Sequence, residues 1–343
     1  MSSLHDLTGE AFLPVADSIA RGAIPGAVLG AVTADGTRAV FHAGKAQIVP
    51  EPVPMTADTW FDLASLTKVV FTTVQILEEA AHGRIDLDAP LTTLLPDLRQ
   101  YAPDCPERQI TFRQCLGHLT PLPAVEPLYT YGQSPATLRA FILQRKWALG
   151  PAVYSDINFI LLGLALERLR GKAVAEMAPG WGLSFAPPRD DCAATEMCSW
   201  RGQVMHGDVH DENAFALGGA GHAGLFGRIG GVLDFASDLL TGSTLAEESI
   251  ALMRTPLSAT RSHGWERAHK GWSGGDACND TGNGHTGFTG TGLWVDFERG
   301  LAWSLLTNRV HPTRHAASGI AQLRRAVGGR FQTSPRPSRP SRP

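Results

Sequence analysis

A serine and a lysine stand three positions apart in the stretch FDLASLTKVV, at Ser65 and Lys68. Residues i and i+3 share one face of a helix, so the lysine amine can reach the serine hydroxyl if the stretch is helical. Burial would lower the pKa of Lys68, so that its amine could accept the serine proton. N–H groups at the helix start could also stabilise an oxyanion. The pair is a candidate acylation unit; the competing interpretation is a helix-start serine with a surface lysine.

Two further stretches carry groups that would complete such a unit. In YSDINFILLG, Tyr154 precedes an apolar helix pattern and could move a proton between the serine and a leaving group. In GHTGFTGTGLWVD, His285, Thr286 and Gly287 precede a strand pattern, where glycine lets a substrate approach the strand edge. His285 could donate a hydrogen bond to a substrate carboxylate or to Tyr154. Taken alone, each stretch also fits a packing tyrosine with a helix cap or a plain hairpin entry.

The order and spacing of the three stretches are more specific than any one of them. A Ser-x-x-Lys pair, a tyrosine about 90 residues later and a His-Thr-Gly before a late strand follow the motif order of penicillin-recognising enzymes. The chain resembles the serine β-lactamase and penicillin-binding protein superfamily, in particular its branch of class C β-lactamases, DD-peptidases, esterases and muropeptide amidases. The resemblance covers about residues 5–327 and includes the phrase GHAGLF around His222.

The resemblance implies a role for each of these residues. Ser65 would be the acylated nucleophile, Lys68 its activator and Tyr154 the general base and acid, a role that it could share with Lys68. The oxyanion hole would consist of the backbone N–H groups of Ser65 and Phe288. The residues implied to bind substrate or to line the oxyanion hole are Asp156, His222, His285, Thr286, Gly287 and Phe288.

Two positions depart from the usual motifs. Asp156 stands where many members have asparagine, which adds a negative charge beside the site. His285 stands where β-lactamases usually have lysine. Both departures argue against an efficient β-lactamase and favour a DD-peptidase, an esterase or an amidase.

A loop rich in glycine and histidine spans residues 200–226 and holds groups that could bind a metal. These groups are His206, Asp208, His210, Asp211, Glu212 and His222. Their spacing matches no standard zinc motif, so we favour a substrate-lining loop in which Asp211 and Asn213 make structural hydrogen bonds. His222 is expected nearest the cleft. We predict neither a metal nor an organic cofactor.

Composition and charge exclude several function classes. The chain has 343 residues, 43% hydrophobic content and a net charge of −3, so no basic surplus suggests a nucleic-acid partner. The N-terminal stretch lacks a basic start followed by an apolar run, and no stretch approaches a membrane span. This predicts a cytoplasmic protein, or a periplasmic one if the sequence begins late. Five cysteines without a C-x-x-C pair predict reduced thiols; they are Cys105, Cys115, Cys192, Cys198 and Cys278.

The pattern along the chain predicts strands near both ends and helices between them. Helices are predicted over residues 5–21, from Ser65 to about His82, over 111–119, 135–147 and 157–170, and over 312–327, with β-hairpins around ADG and DFERG. The terminal strands could pair into one antiparallel sheet, with the helical middle as an inserted lobe. The cleft between the lobes would then hold the site.

We therefore predict an α/β (α+β) fold: an antiparallel β-sheet flanked by helices plus an all-helical lobe. A single catalytic domain would span residues 1–330, with the α/β lobe at about 1–64 and 280–328, the helical lobe at about 65–279, and a disordered tail at 331–343. The predicted function is a serine hydrolase acting on a cell-wall peptide or muropeptide amide, of DD-carboxypeptidase or amidase type. A promiscuous carboxylesterase, a weak β-lactamase and a catalytically silent peptide-binding relative remain open alternatives.

Overall fold

The computed structural model describes residues 3–276, 279 and 281–332. The predicted thiol Cys278 and residues 333–343 of the predicted tail lie outside this range. The first two residues of that tail prediction, Phe331 and Gln332, belong instead to the last helix. Phe331 is fully buried and its ring stacks on Trp303 of the sheet, which explains why the helix continues through it.

Within the described residues, seven strands form one antiparallel sheet that joins the two ends of the sequence. In spatial order they are β3 (Val53–Pro54), β2 (Arg38–Gln47), β1 (Gly26–Thr33), β11 (Leu301–Thr307), β10 (Gly292–Asp296), β9 (Asn283–Thr286) and β8 (Glu266–Arg267). Two short pairs lie outside the sheet: β4 (Phe61–Asp62) with β7 (Phe226–Gly227), and β5 (Met197–Cys198) with β6 (Gln203–Val204). The pairing of β1 with β11 confirms the predicted union of the terminal strands.

Helices cover both faces of the sheet. Successive side chains of a strand point to opposite faces, so each strand contributes to two clusters. Leu29 packs in the cluster beneath α1 (Leu4–Ala20) and α9 (Ile320–Gln332), whereas Val28 and Val32 join the larger cluster that includes α7 (Ile229–Thr241). Both faces of β1 are covered and therefore shielded from water, which explains why its sequence is an almost unbroken apolar run.

The chain between β4 and β9 is mostly helical. Besides α7, its helices are α2 (Thr73–Ala81), α3 (Phe112–Leu116), α4 (Pro135–Gln144), α5 (Asp156–Arg170), α6 (Glu212–Ala216) and α8 (Glu247–Arg254). Helix α5 is buried along most of its length and ends at Gly171, whose φ of 67° is left-handed. Glycine adopts this conformation without the steric penalty of a Cβ atom, which confirms the predicted helix end.

Two helix predictions need correction at their ends. The helix predicted from Ser65 begins at Leu66 and passes through a π-helical turn at Lys68–Thr72 before α2 starts, a local distortion that is frequent at functional sites. The closing helix, predicted over 312–327, begins only at Ile320. Gly319, with a left-handed φ of 61°, separates it from the preceding turns.

Cys105, Cys115, Cys192 and Cys198 are free thiols, as predicted. Among the described residues, no helix combines the length and the apolar character that a membrane span requires.

Candidate active site

Ser65 follows a strained turn that a buried carboxylate holds in place. Ala64 adopts a left-handed φ of 47°, which is uncommon for a residue with a Cβ atom and recurs where side chains are presented for chemistry. The Asp62 carboxylate accepts hydrogen bonds from the N–H of Ala64 at 2.7 Å and from the N–H of His210 at 2.6 Å. Asp62 therefore ties the turn before Ser65 to the 206–222 loop.

Lys68 is completely buried and all of its contacts belong to the predicted site. Its Nζ donates to Ser65 Oγ at 2.8 Å and to the carbonyl of His222 at 3.0 Å, and lies 2.8 Å from Asp156 Oδ1. The same Nζ stands 5.2 Å from the centre of the Tyr154 ring. The surface-lysine interpretation of the motif is wrong for this chain.

The charge state of Lys68 differs from the expectation. Burial opposes the charged form, but the Asp156 carboxylate, together with Tyr154, outweighs it and raises the pKa of Lys68 above its ordinary value. The desolvation argument predicted a lowered pKa because it did not include the carboxylate partner. Lys68 therefore stands beside Ser65 as a cation that donates to the hydroxyl, and not as a neutral base.

Tyr154 lies between two buried imidazoles. Its ring centre is 4.4 Å from that of His118 and 5.9 Å from that of His285. His118 has a left-handed φ of 52°, and its Nδ1 accepts the N–H of Ser155 at 3.0 Å. Sequence reasoning treated His118 as a surface or packing residue, because nothing in its neighbourhood along the chain links it to Tyr154.

His285 is neutral in this environment. Burial, with the charges of Lys68 and Arg261, holds the pKa of His285 well below its ordinary value. Its Nδ1 lies 3.1 Å from the carbonyl of Thr286, and because a carbonyl only accepts, Nδ1 carries the proton. Nε2 is then an acceptor, which contradicts the prediction that His285 donates to a substrate carboxylate or to Tyr154.

The two backbone groups predicted for the oxyanion hole lie on segments that are bonded to each other. The hydroxyl of Thr289 donates to the carbonyl of Asp62 at 2.7 Å, and that of Thr291 donates to the carbonyl of Leu63 at 3.0 Å. Within the part of the chain that the structure describes, neither the N–H of Ser65 nor that of Phe288 has a backbone acceptor. Two unpaired donors on linked segments are what an oxyanion hole needs.

Gly287 allows these two segments to approach closely. A Cβ atom at this position would lie 2.5 Å from the carbonyl oxygen of Leu63 and would also overlap the Thr291 hydroxyl. Because the obstructing groups include backbone, the segments would have to separate. The glycine predicted to let a substrate approach therefore also brings two parts of this chain together.

Gly287→Ala is expected to lower kcat about 100- to 1000-fold, the usual cost of losing one oxyanion donor. The added methyl group pushes the Phe288 segment away from Ser65, while Lys68 stays in contact with the serine. Hydrolysis rates of an ester substrate measure the effect. Gly230→Ala is the matched control, because a Cβ atom at that helical glycine meets nothing within 4 Å. Equal rates for the two variants would contradict the placement of the oxyanion hole.

The 206–222 loop separates most of the groups that could have formed a metal site. His206 contacts the carbonyl of Cys192, Asp208 pairs with Arg189, His210 contacts Glu196, and Glu212 pairs with Arg314. Asp211 alone stays with His222: its Oδ1 lies 2.9 Å from the imidazole Nε2 and also accepts the N–H of Ala214. Asn213 bonds to the backbone of Tyr129 and Glu126, as the structural interpretation of Asp211 and Asn213 predicted.

Within the described residues one candidate ligand set is found, and it shares only Asp211 and His222 with the groups that the sequence offered. Single ligand atoms of Asp156, Asp211 and His222 lie within 4.8 Å of one another. The Lys68 ammonium already contacts Asp156, so this acidic pocket contains a cation of its own. Burial raises the pKa of Asp211, but His222, the Ala214 N–H and Lys68 outweigh it and lower that pKa. His222 meets the site through its carbonyl, and its ring is only 1% exposed. The imidazole is therefore turned toward Asp211, and a substrate-binding role for His222 stays a prediction.

Arg261 is a site residue that sequence reasoning missed. It lies in the segment between α8 and β8, and its guanidinium stands 5.4 Å from the centre of the Tyr154 ring. Among the described residues, no carboxylate lies within ion-pair distance of its side chain and no hydrogen-bond acceptor is seen for it. No motif surrounds it in the sequence, so only the three-dimensional contact with Tyr154 identifies it.

Known proteins match this chain over most of its length. A family model described as Beta-lactamase matches residues 15–327. A Bacillus subtilis (strain 168) protein named N-acetylmuramyl-L-alanine amidase is 29% identical over 84% of this chain and 78% of its own. A Salmonella agona (strain SL483) protein, provisionally named a D-alanyl-D-alanine carboxypeptidase, is 27% identical over 77% of this chain and 72% of its own. The solved β-lactamase of Sulfitobacter sp. EE-36 covers 97% of this chain and 100% of its own with a TM-score of 0.74 at 19% identity, which confirms the predicted fold class.

Proposed function

The chain belongs to the beta-lactamase family, and from this premise we propose that it hydrolyses an amide of a cell-wall peptide or muropeptide through an acyl-enzyme on Ser65. The observation that carries the proposal is the hydrogen bond from the fully buried Lys68 to Ser65 Oγ. Burying an ammonium costs free energy unless charged and hydrogen-bonding partners compensate for the lost water. Here one of those partners is the hydroxyl that would be acylated. The relative named N-acetylmuramyl-L-alanine amidase supports an amide as the substrate, because it matches 84% of this chain.

The proposed reaction uses the charge distribution of the site. Lys68 stays protonated and stabilises negative charge on Ser65 Oγ as that oxygen attacks the amide carbon. The oxygen of Tyr154, beside Lys68, accepts the serine proton while its own hydroxyl proton passes to the leaving nitrogen as the C–N bond breaks, so the number of protons on Tyr154 does not change. The carbonyl oxygen becomes an oxyanion facing the N–H groups of Ser65 and Phe288. Water then cleaves the ester bond to Ser65 by the same steps in reverse.

The cations of the cleft support a substrate with a carboxylate. The charge of Lys68 is balanced by Asp156, and His285 is neutral. The guanidinium of Arg261 lies over the face of Tyr154, and no carboxylate partner is seen for it in the described range. We assign it to the carboxylate of the amino acid on the leaving side of the amide, because arginine binds carboxylates in a bidentate manner.

Arg261→Met is expected to raise KM about 10- to 100-fold for substrates with a free carboxylate, the usual effect of losing a charged hydrogen bond. Substrates with a carboxamide at the same position should show little change. N-acetylmuramyl-L-alanine and a D-Ala-D-Ala peptide, each assayed beside its carboxamide, make the comparison. Arg254→Met is the matched control, because that exposed arginine stacks on Phe297 away from Tyr154. An equal rise in KM for acids and amides would contradict the assignment.

A panel of four substrates separates the open functions. It contains N-acetylmuramyl-L-alanine, a D-Ala-D-Ala peptide, a short-chain nitrophenyl ester and a chromogenic cephalosporin. We expect the highest kcat/KM for one of the two amides. Ester hydrolysis without amide hydrolysis would favour the carboxylesterase, and no covalent adduct with any acylating probe would favour the silent peptide-binding relative.

A further inference from the structure

Arg324 on α9 is an arginine buried without an acidic partner. Arg324 is only 8% exposed. In the described ranges, no carboxylate lies within ion-pair distance of its guanidinium. Its Nη2 donates to two backbone carbonyls, those of Gly287 at 2.8 Å and Thr291 at 2.7 Å, while its Nε is buried without a partner. Burial, with repulsion from Arg309, lowers the pKa of Arg324 to about 9. Burying an uncompensated charge destabilises a fold, so stability alone does not explain this residue.

The carbonyl that Arg324 contacts belongs to the same peptide group as one oxyanion donor. The C=O of Gly287 and the N–H of Phe288 are joined by one conjugated C–N bond. A positive charge on the oxygen draws electrons from the nitrogen, so the N–H becomes a stronger donor, and in a buried setting this polarisation is not screened by water. The guanidinium thus acts on the Phe288 N–H through a single peptide group.

A second arginine acts on the next peptide group. Nε and Nη2 of Arg309 donate to the carbonyl of Phe288 at 2.9 and 2.6 Å. Both peptide groups that meet at Phe288 therefore have a guanidinium on their carbonyl oxygen. Arg324 bonds to the carbonyls at both ends of this turn, those of Gly287 and Thr291. The turn is also closed by its own backbone, because the N–H of Gly287 donates to the carbonyl of Thr291 at 2.8 Å. The turn is held in shape and made electropositive by the same side chain.

We propose that Arg324 is a positioning residue of the oxyanion hole, which fixes the 287–291 turn and strengthens the Phe288 N–H as a donor to the developing oxyanion. The inference rests on the proposed function, because it assumes that Ser65 is acylated. It concerns the transition state, where the oxyanion carries its charge, and not the binding of the substrate carbonyl. Its signature is therefore a change in kcat with little change in KM.

Three variants separate charge from shape. Arg324→Gln keeps a hydrogen-bond donor and removes the charge; Arg324→Lys keeps the charge; Arg325→Gln, on the next residue of α9, is the matched control. We expect the Gln variant to lower kcat about tenfold, since the donor is weakened and not removed. The Lys variant should recover most of the loss, and the control should match the unaltered protein.

The acyl-enzyme itself gives a readout that a merely structural role would not change. A slowly deacylating aryl ester with a ¹³C carbonyl places a vibrational label in the oxyanion hole. A weaker Phe288 donor should move the acyl C=O stretch of the Gln variant to higher frequency, and that of the Lys variant less. Unchanged kcat and frequency in the Gln variant would overturn the inference, as would losses that only follow the amount of folded protein. If the unaltered protein forms no adduct at Ser65, the proposed function fails as well.

Discussion

Ser65→Ala is expected to lower turnover of the preferred substrate by up to about a million-fold, the factor that a nucleophile can carry when it acts as one unit with its activating groups. The alanine has no oxygen to be acylated, so the amine of Lys68 loses its acceptor and no acyl-enzyme can form. Residual turnover would come from substrate binding and the oxyanion donors alone. The measurement is kcat of the purified variant with each amide of the panel.

Intact-mass spectrometry with an aryl phosphonate tests the same substitution without a substrate. The unaltered protein should gain one phosphonyl adduct and Ser65→Ala should gain none. Ser243→Ala is the matched control, because that exposed serine lies in the turn after α7 and bonds only to Thr241 among the described residues. An adduct or substantial turnover in Ser65→Ala would show that the nucleophile lies elsewhere.

Asp156→Asn is expected to lower the free energy of unfolding by about 3–5 kcal/mol at neutral pH, the usual cost of removing one member of a buried ion pair. Lys68 is fully buried and loses the carboxylate 2.8 Å from its Nζ. Asp234→Asn is the matched control: its ion pair with Arg38 is exposed and should contribute no more than about 1 kcal/mol. Urea unfolding measures the free energy of unfolding of both variants. Equal losses would contradict a larger contribution from the buried pair with Lys68 than from the exposed pair with Arg38.

The pH dependence of that loss has a definite sign. In the unaltered protein the folded-state pKa of Lys68 is raised, so the pair stabilises the fold fully below the unfolded pKa of about 10.4 and is lost as pH rises through the folded value. In Asp156→Asn the carboxylate is gone and only Tyr154 still opposes desolvation, so the pKa of Lys68 falls. The destabilisation should then shrink as pH rises above 7, because a neutral amine is cheaper to bury. A loss independent of pH between about 7 and 10 would contradict the assigned charge state.

Sequence reasoning could identify the catalytic pattern because its members are encoded locally. The spacing of three positions between Ser65 and Lys68 places both on one side of a helix start whatever the rest of the chain does. The hairpins and the stop of α5 at Gly171 also depend on neighbours along the chain, and β1 and β11 could be paired because their apolar runs need a common core. That Tyr154 and the His285 segment belong to the same predicted site was inferred from the order of the three motifs along the chain.

What sequence reasoning could not supply were interactions between residues far apart in the chain. The charge of Lys68 depends on Asp156, 88 positions away, and its amine also donates to the carbonyl of His222, 154 positions away. Local reasoning saw only that burial disfavours a cation, and a pKa is the balance of burial against partners that folding brings close.

The sequence by itself determined that a serine and a lysine would share a helix face, that a glycine would stand beside the strand edge, and that the two ends would build one sheet. Only the tertiary structure decided that Lys68 is a cation, that His285 is an acceptor, that Arg261 lies over Tyr154 and that Arg324 bonds to the 287–291 turn. The reason is physical: helix and turn geometry depend on the nearest few residues, whereas electrostatic free energies depend on every charge within several ångströms after the chain has folded.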